Sequence, residues 1–249
     1  MAKRKRILLA LVGLVVVAGA YTWFFGAATM FALEARYAGW KMPVVNKTPV
    51  ELTDTSVSKE PGQMFTYSGY QFELPWPVEV GKTKQVSPTS VVIAFRSGNA
   101  LWFSKVPPKE FVGEFLALSK GDSSGLRQLY GDEALRSDYS LINLVLGTTP
   151  QEIGVFSNRR QAAGGPMLLA IKGIMIPSGG ETGIFRVRTG KFQGFQYGDP
   201  KSRPRTIDIE VFADDGGLAF LFAQREKGPV SAITQGEINR VLQSVRKTP

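Results

Sequence analysis

From Ile7 to Leu33 the chain carries no charged residue, a run of 27 positions that directly follows Lys3, Arg4, Lys5 and Arg6. About 20 apolar residues span a bilayer core, and a water-soluble helix keeps one polar face. The pattern therefore predicts a transmembrane signal-anchor over residues 7–33. Basic residues are retained on the cytoplasmic side, so residues 1–6 form a cytoplasmic tail and the bulk of the chain is extracytoplasmic, periplasmic in a Gram-negative cell. A second fate competes: Ile7–Val17 has the length of a signal-peptide core and Ala18-Gly19-Ala20 fits a cleavage site, so cutting after Ala20 would secrete the remainder. Apolar character continues through Tyr21, Trp23, Phe24 and Phe25, further than a signal peptide needs, which favours retention.

Around the end of the span, Phe31, Tyr37 and Trp40 are mixed with Glu34, Arg36 and Lys41, a composition suited to the lipid-water boundary. Pro43, Pro49 and Pro61, with several hydroxylated residues between them, make 42–62 read as a spacer, so 34–62 form a juxtamembrane segment and linker. The extracytoplasmic domain is expected over 63–249. Tyr70, Phe72 and Leu74 alternate with Gln71 and Glu73, predicting a strand that Pro75 and Pro77 end. Val91–Phe95 and Ala100–Ser104 predict a hairpin around Arg96–Asn99. Phe111, Val112, Phe115 and Leu116 share a helical face, and Ser137 or Asp138 can cap a helix carrying Leu141, Ile142 and Val145 that stops at Gly147. Thr149-Pro150-Gln151-Glu152 predicts a further helix, which Gly164-Gly165-Pro166 interrupts. Met167–Ile176 fits a helix or a buried strand; a core helix with Lys172 reaching to its edge is preferred, too short to be a second span.

The last third predicts four strands, Ile184–Arg188, Phe192–Tyr197, Thr206–Phe212 and Leu218–Ala223, with a tight turn at Asp214-Asp215-Gly216-Gly217. Thr234 and Glu237 form a capping box opening a final amphipathic helix through Ile238, Val241, Leu242 and Val245. The fold class is α+β, with a mainly antiparallel sheet packed against helices. Gly69-Tyr70-Gln71-Phe72-Glu73-Leu74-Pro75 and the ending from Ile207 to Arg246 resemble the PsbP-like α-β-α sandwich superfamily. That resemblance implies a non-catalytic binding or assembly role beside a membrane, and places no functional residue.

Composition narrows the chemistry. Without cysteine there is no disulfide, thiolate metal site or thiol nucleophile; without histidine a Ser-His-Asp triad and a His-bearing zinc site are impossible within the chain. No phosphate-binding glycine loop is found, and Ser178–Gly183 reads as a mobile connection. Asp199 and Asp214-Asp215 read as turn residues. Asp208 and Glu210 share one strand face and could divide acid and base roles, but simple alternation favours a solvated face. Lys172 is the best partner for a Ser-Lys pair, against the blander reading of a snorkelling lysine.

The net charge is +9, and residues 1–41, with six Lys/Arg against one Glu, supply +5 of it. The rest concentrates between 186 and 205, where Arg186, Arg188, Lys191, Lys201, Arg203 and Arg205 face a single acid, Asp199. If these form one surface beside Phe192, Phe195 and Tyr197, they suit anionic headgroups, an acidic protein or an acidic polysaccharide; the competing reading is a solvated hairpin edge. Nucleic acid is not expected outside the cytoplasm, and no cofactor is implied. The expectation is a membrane-tethered extracytoplasmic binding or assembly module without catalytic activity, tethered to the lipid bilayer by its N-terminal helix. The competing reading is a hydrolase or transferase using carboxylates or a Ser-Lys pair.

Overall fold

A computed structural model of the chain describes residues 26–60, 62–118, 123–154, 159–224 and 232–248. Among them no helix is long and apolar enough to cross a membrane. Most of the anticipated span, residues 7–25, lies outside the described residues. The chain divides into two compact units, one built from residues up to Asn46 with Thr148–Gly173, the other from Lys47–Gly147 with Ile174 onward.

In the first unit, residues 26–41 form helix α1. Its Ala28, Ala32 and Ala35 are buried, and a small core of Ala32, Ala35, Val45, Ile153 and Leu169 forms around it. Small residues at this spacing let backbones approach. The Thr149–Glu152 signal yields only a single 3-10 turn, Pro150–Glu152, with the Thr149 N–H donating to Glu152 Oε2 at 3.0 Å. Gly164-Gly165-Pro166 does not break the following helix: α5 runs Arg159–Met175 with Pro166 inside it. A Cβ on Gly165 would lie 2.5 Å from Ile153 Cδ1, so the glycine serves close packing rather than termination.

The second unit is organised by an eight-stranded sheet. Its strands in chain order are β1 (Val50–Glu51), β4 (Lys84–Ser87), β5 (Ser90–Ala94), β6 (Ala100–Val106), β7 (Ile184–Thr189), β8 (Phe192–Tyr197), β9 (Thr206–Ala213) and β10 (Gly216–Ala223). In space they lie in the order β1-β7-β8-β9-β10-β6-β5-β4, antiparallel throughout except for β1 against β7. A second, three-stranded sheet, β11-β3-β2, comprises β2 (Gln63–Tyr67), β3 (Tyr70–Leu74) and β11 (Arg246–Lys247).

Period-2 alternation decides which face is buried. Ile207, Ile209 and Val211 of β9 and Leu218, Phe220 and Phe222 of β10 join Phe72 of β3 in one core. Phe72 lies 5.0 Å from Phe103 and edge-on to Phe220 at 5.7 Å between ring centroids, geometry favoured by aromatic quadrupoles. Helix α6 (Gln235–Ser244) closes this side with Ile238, Val241 and Leu242, and the Trp76 indole donates to Glu237 Oε1 at 2.9 Å. Glu237 also completes the anticipated capping box, accepting from the Thr234 N–H at 2.7 Å.

Residues 47–60 are no spacer. β1 pairs with β7, Asn239 of α6 donates to Asp54 O at 2.8 Å and to Ser56 O at 2.7 Å, and Ser58 N–H donates to Gly236 O at 2.9 Å. Proline and hydroxylated residues suited this strap because its backbone bonds to neighbours rather than to itself. Buried Gln196 and Gln235 exchange amide hydrogen bonds at 2.8 and 3.0 Å, satisfying both side chains between β8 and α6.

On the opposite face of the sheet, α4 (Asp138–Gly147) packs on β9 and α2 (Glu110–Leu118) on α4, while α3 (Ser123–Tyr130) meets α2 through Phe115 and Tyr130, with ring centroids 5.8 Å apart. Tyr139 of α4 stacks on Phe195 of β8 with centroids 5.2 Å apart. Asp138 Oδ1 accepts from the Val112 N–H at 2.9 Å, tying the starts of α4 and α2 together.

Candidate functional site

The six basic residues do not form one surface. In the register, Thr189 pairs with Phe192 and Ile184 with Tyr197, so Lys191 in the β7-β8 turn and Lys201, Arg203 and Arg205 after β8 lie at opposite ends of the strand. Six residues of strand separate those ends by roughly 20 Å. Lys201, Arg203 and Arg205 are exposed, as is Arg188, and Lys191 Nζ stands 5.5 Å over the Phe192 ring at the rim of a polar cleft of about 690 Å³ that also holds Asp214 and Asp215. Arg186 is structural: it donates to Asn143 Oδ1 at 3.2 Å and Pro49 O at 3.1 Å, and lies 3.7 Å from Glu51. Phe192, Phe195 and Tyr197 are all buried, so no aromatic-basic surface forms.

Lys172 is 0% exposed, and its ammonium donates to Thr148 O at 2.8 Å. Burial lowers its pKa to about 8 against the opposing influence of Glu152. It bonds a carbonyl, not a serine hydroxyl, and it does not snorkel to the edge. Ser178–Gly183, expected to be a mobile connection, contains a 3-10 turn with Gly179 and Gly180 buried; a Cβ on Gly179 would lie 2.5 Å from Thr206 O. Asp199 is a turn residue as anticipated, accepting from Lys201 N–H at 2.9 Å.

Asp208 and Glu210 depart furthest from expectation. They do share a face of β9, but that face is only partly exposed. Asp208 and Glu210 line a groove of about 300 Å³ over β9, β10 and β6, walled by Ala219, Leu221 and Trp102, the last 45% exposed. Glu210 also lines an adjoining groove of about 320 Å³ under α2 and α4, where Glu110, Glu114 and Asp138 meet Phe111, Ile142 and Phe212. Glu210 lines both. Among the described residues no lysine or arginine lines either one.

Desolvation governs these acids. Burial raises Asp208 to about 6, against a hydrogen bond from Thr206. It raises Glu210 to about 7, reinforced by the like charges of Asp208, Asp138 and Glu110. Glu110 is raised too, by burial and then by Glu114 and Asp138. Tyr197, opposite Asp208 in the register, is 1% exposed, and its hydroxyl, like Asp208 Oδ2, is buried with no hydrogen-bond partner among the described residues. Alternation identified the shared face; it carried no signal that α2 and α4 would lie against Glu210.

The first unit carries a surface of another kind. Met30, Leu33, Tyr37 and Trp40 form an exposed stripe along α1 opposite its buried alanines, with Trp40 71% exposed. Lys41 Nζ lies 4.5 Å over the Trp40 ring and 5.7 Å over that of Tyr37. No family model, curated protein or solved structure matches this chain.

Proposed function

We propose that this protein is a membrane-tethered extracytoplasmic binding or assembly module without catalytic activity of its own. The observation that carries the tether is the α1 stripe. An uncharged run from Ile7 leads directly into a helix whose free face presents Met30, Leu33, Tyr37 and Trp40, with Lys41 at its end. Aromatic rings and a lysine at the end of an apolar helix are the residues that settle at a bilayer interface. The basic cluster Lys3–Arg6 orients the chain with its N-terminus inside. The resemblance to PsbP-like sandwiches carries the same expectation of a binding role beside a membrane.

The enzyme reading is weaker. Paired catalytic carboxylates divide their labour when their surroundings push their pKa values apart. Here desolvation pushes both Asp208 and Glu210 upward, and Lys172 donates to a carbonyl. A reporter active only outside the cytoplasm, fused after Pro249, tests the orientation. Activity is expected; activity from a cytoplasm-only reporter at the same junction would reverse the topology and remove the proposed role.

A further inference from the structure

We propose that two copies of this chain pair in parallel through the free face of α1. The inference rests on the tethered reading, because the membrane holds both copies in one orientation, and it names the partner of the α1 stripe. Met30, Leu33, Tyr37 and Trp40 follow one another at intervals of three, four and three residues, and each is more than half exposed. Apolar residues recurring every 3.5 positions on average are the a and d positions of a coiled-coil seam. In the sequence the same alternation runs back through Gly26 and Trp23 into the uncharged run. The opposite face of α1 is already occupied: Ala28, Ala32 and Ala35 are buried, the latter two packing with Val45, Ile153 and Leu169.

The width of the stripe decides between a lipid surface and a second helix. A helix lying in a bilayer surface buries a broad apolar face, whereas a seam confined to a and d positions is narrow. Here exposed charges stand on both flanks: Glu34 and Lys41 at e positions, next to Leu33 and Trp40, and Arg36 at a g position, next to Tyr37. Aromatic rings at the level of the bilayer interface keep that level when they turn toward a neighbouring helix. Lys3–Arg6 give every copy the same orientation, so the pair is parallel and in register, with identical residues meeting across a twofold axis along the membrane normal. Confinement to one membrane raises the effective concentration of each copy for the other, so a short seam suffices. In a parallel pair a g residue faces the e residue five positions further along the other helix, which sets Arg36 against the partner's Lys41. The Lys41 ammonium lies instead over its own Trp40 and Tyr37 rings, at 4.5 and 5.7 Å. These like charges weaken the pair, and relieving them gives a test that a lipid contact does not share.

The chain has no cysteine, so single introduced cysteines report contacts between copies without background. In native membranes under mild oxidation, Met30→Cys, Leu33→Cys and Tyr37→Cys should form disulfide-linked dimers, while Phe31→Cys and Ala38→Cys, off the seam, should stay monomeric. In the Tyr37→Cys chain, Lys41→Glu should increase the cross-linked fraction by setting a carboxylate opposite Arg36, and Leu33→Glu should abolish it by placing a charge in the seam. Alkaline-washed pellets of the same chains separate the two readings. A chain lost from the pellet fails the tether and the pair with it; a chain retained there whose seam cysteines stay monomeric fails the pair alone. Equal cross-linking on and off the seam, or no gain from Lys41→Glu, would likewise overturn the pairing. So would a cross-link to a chain of different mass, since another protein would then occupy the stripe.

Discussion

Tyr197 and Asp208 are cross-strand partners on β8 and β9, and the phenol hydroxyl of one and Oδ2 of the other are both buried without a hydrogen-bond partner among the described residues. A core tyrosine whose hydroxyl bonds to nothing contributes packing through its ring and a desolvation cost through its oxygen. Tyr197→Phe keeps the ring and deletes the cost. Chemical denaturation should show the variant to be as stable as the wild type or more stable by about 1 kcal/mol. A loss above that amount would mean that the hydroxyl has a partner.

The carboxylates of the groove make stability depend on pH. Burial raises Asp208 to about 6 and Glu210 to about 7 in the folded chain, above the ordinary values of 3.8 and 4.5. Between pH 4 and 7 the folded chain therefore holds more protons than the unfolded one, and stability from this site falls as pH rises through that window. Asp138 and Glu110, which face Glu210, steepen the fall by like-charge repulsion. Thermal melts from pH 4 to 8 should show a slope that Asp208→Asn with Glu210→Gln flattens. An equal slope in that variant would locate the titration elsewhere.

Arg186 separates structural from exposed charge. Its guanidinium joins β1, β7 and α4, so Arg186→Gln should cost about 1–2 kcal/mol in denaturant midpoints. Arg188→Gln and Arg203→Gln, both at exposed positions, should stay within about 0.5 kcal/mol of the wild type. Equal effects at all three positions would contradict the placement of Arg186.

Phe72 ties the small sheet to the large one through Phe103 and Phe220. Phe72→Ala should destabilise by about 3–5 kcal/mol, as truncating a buried aromatic does. Gly194 is equally constrained, because a Cβ there would lie 1.9 Å from Glu210 O. Gly194→Ala should therefore shift β9 and disturb the groove as well as stability. Denaturation and tryptophan emission check the two effects separately.

Local rules made much of this fold legible. Alternation located β3, β5 and β6, and the four strands from β7 to β10; caps located α4 and α6; and the α+β class with a mainly antiparallel sheet followed. What escaped depended on partners distant in sequence. The 47–60 strap draws its order from β7 and from Asn239, neither of which its composition announces. Gly164-Gly165-Pro166 reads as a breaker until Ile153 is seen packed against Gly165. The basic residues from 186 to 205 are close in sequence, yet the length of β8 carries them to opposite ends of the sheet. Asp208 and Glu210 were recognisable as a pair, but their desolvation comes from the elements packed around them.

The proposed tether stands or falls with the fate of the N-terminus. Membranes from cells making the native chain are washed at alkaline pH, which strips peripheral proteins, and the retained protein is weighed intact by mass spectrometry. A tethered protein stays in the pellet with the sequence from Lys3 through Trp23 still attached, and this is the expected result. Recovery in the supernatant of a form beginning at Tyr21 would contradict it, and would make this a secreted protein.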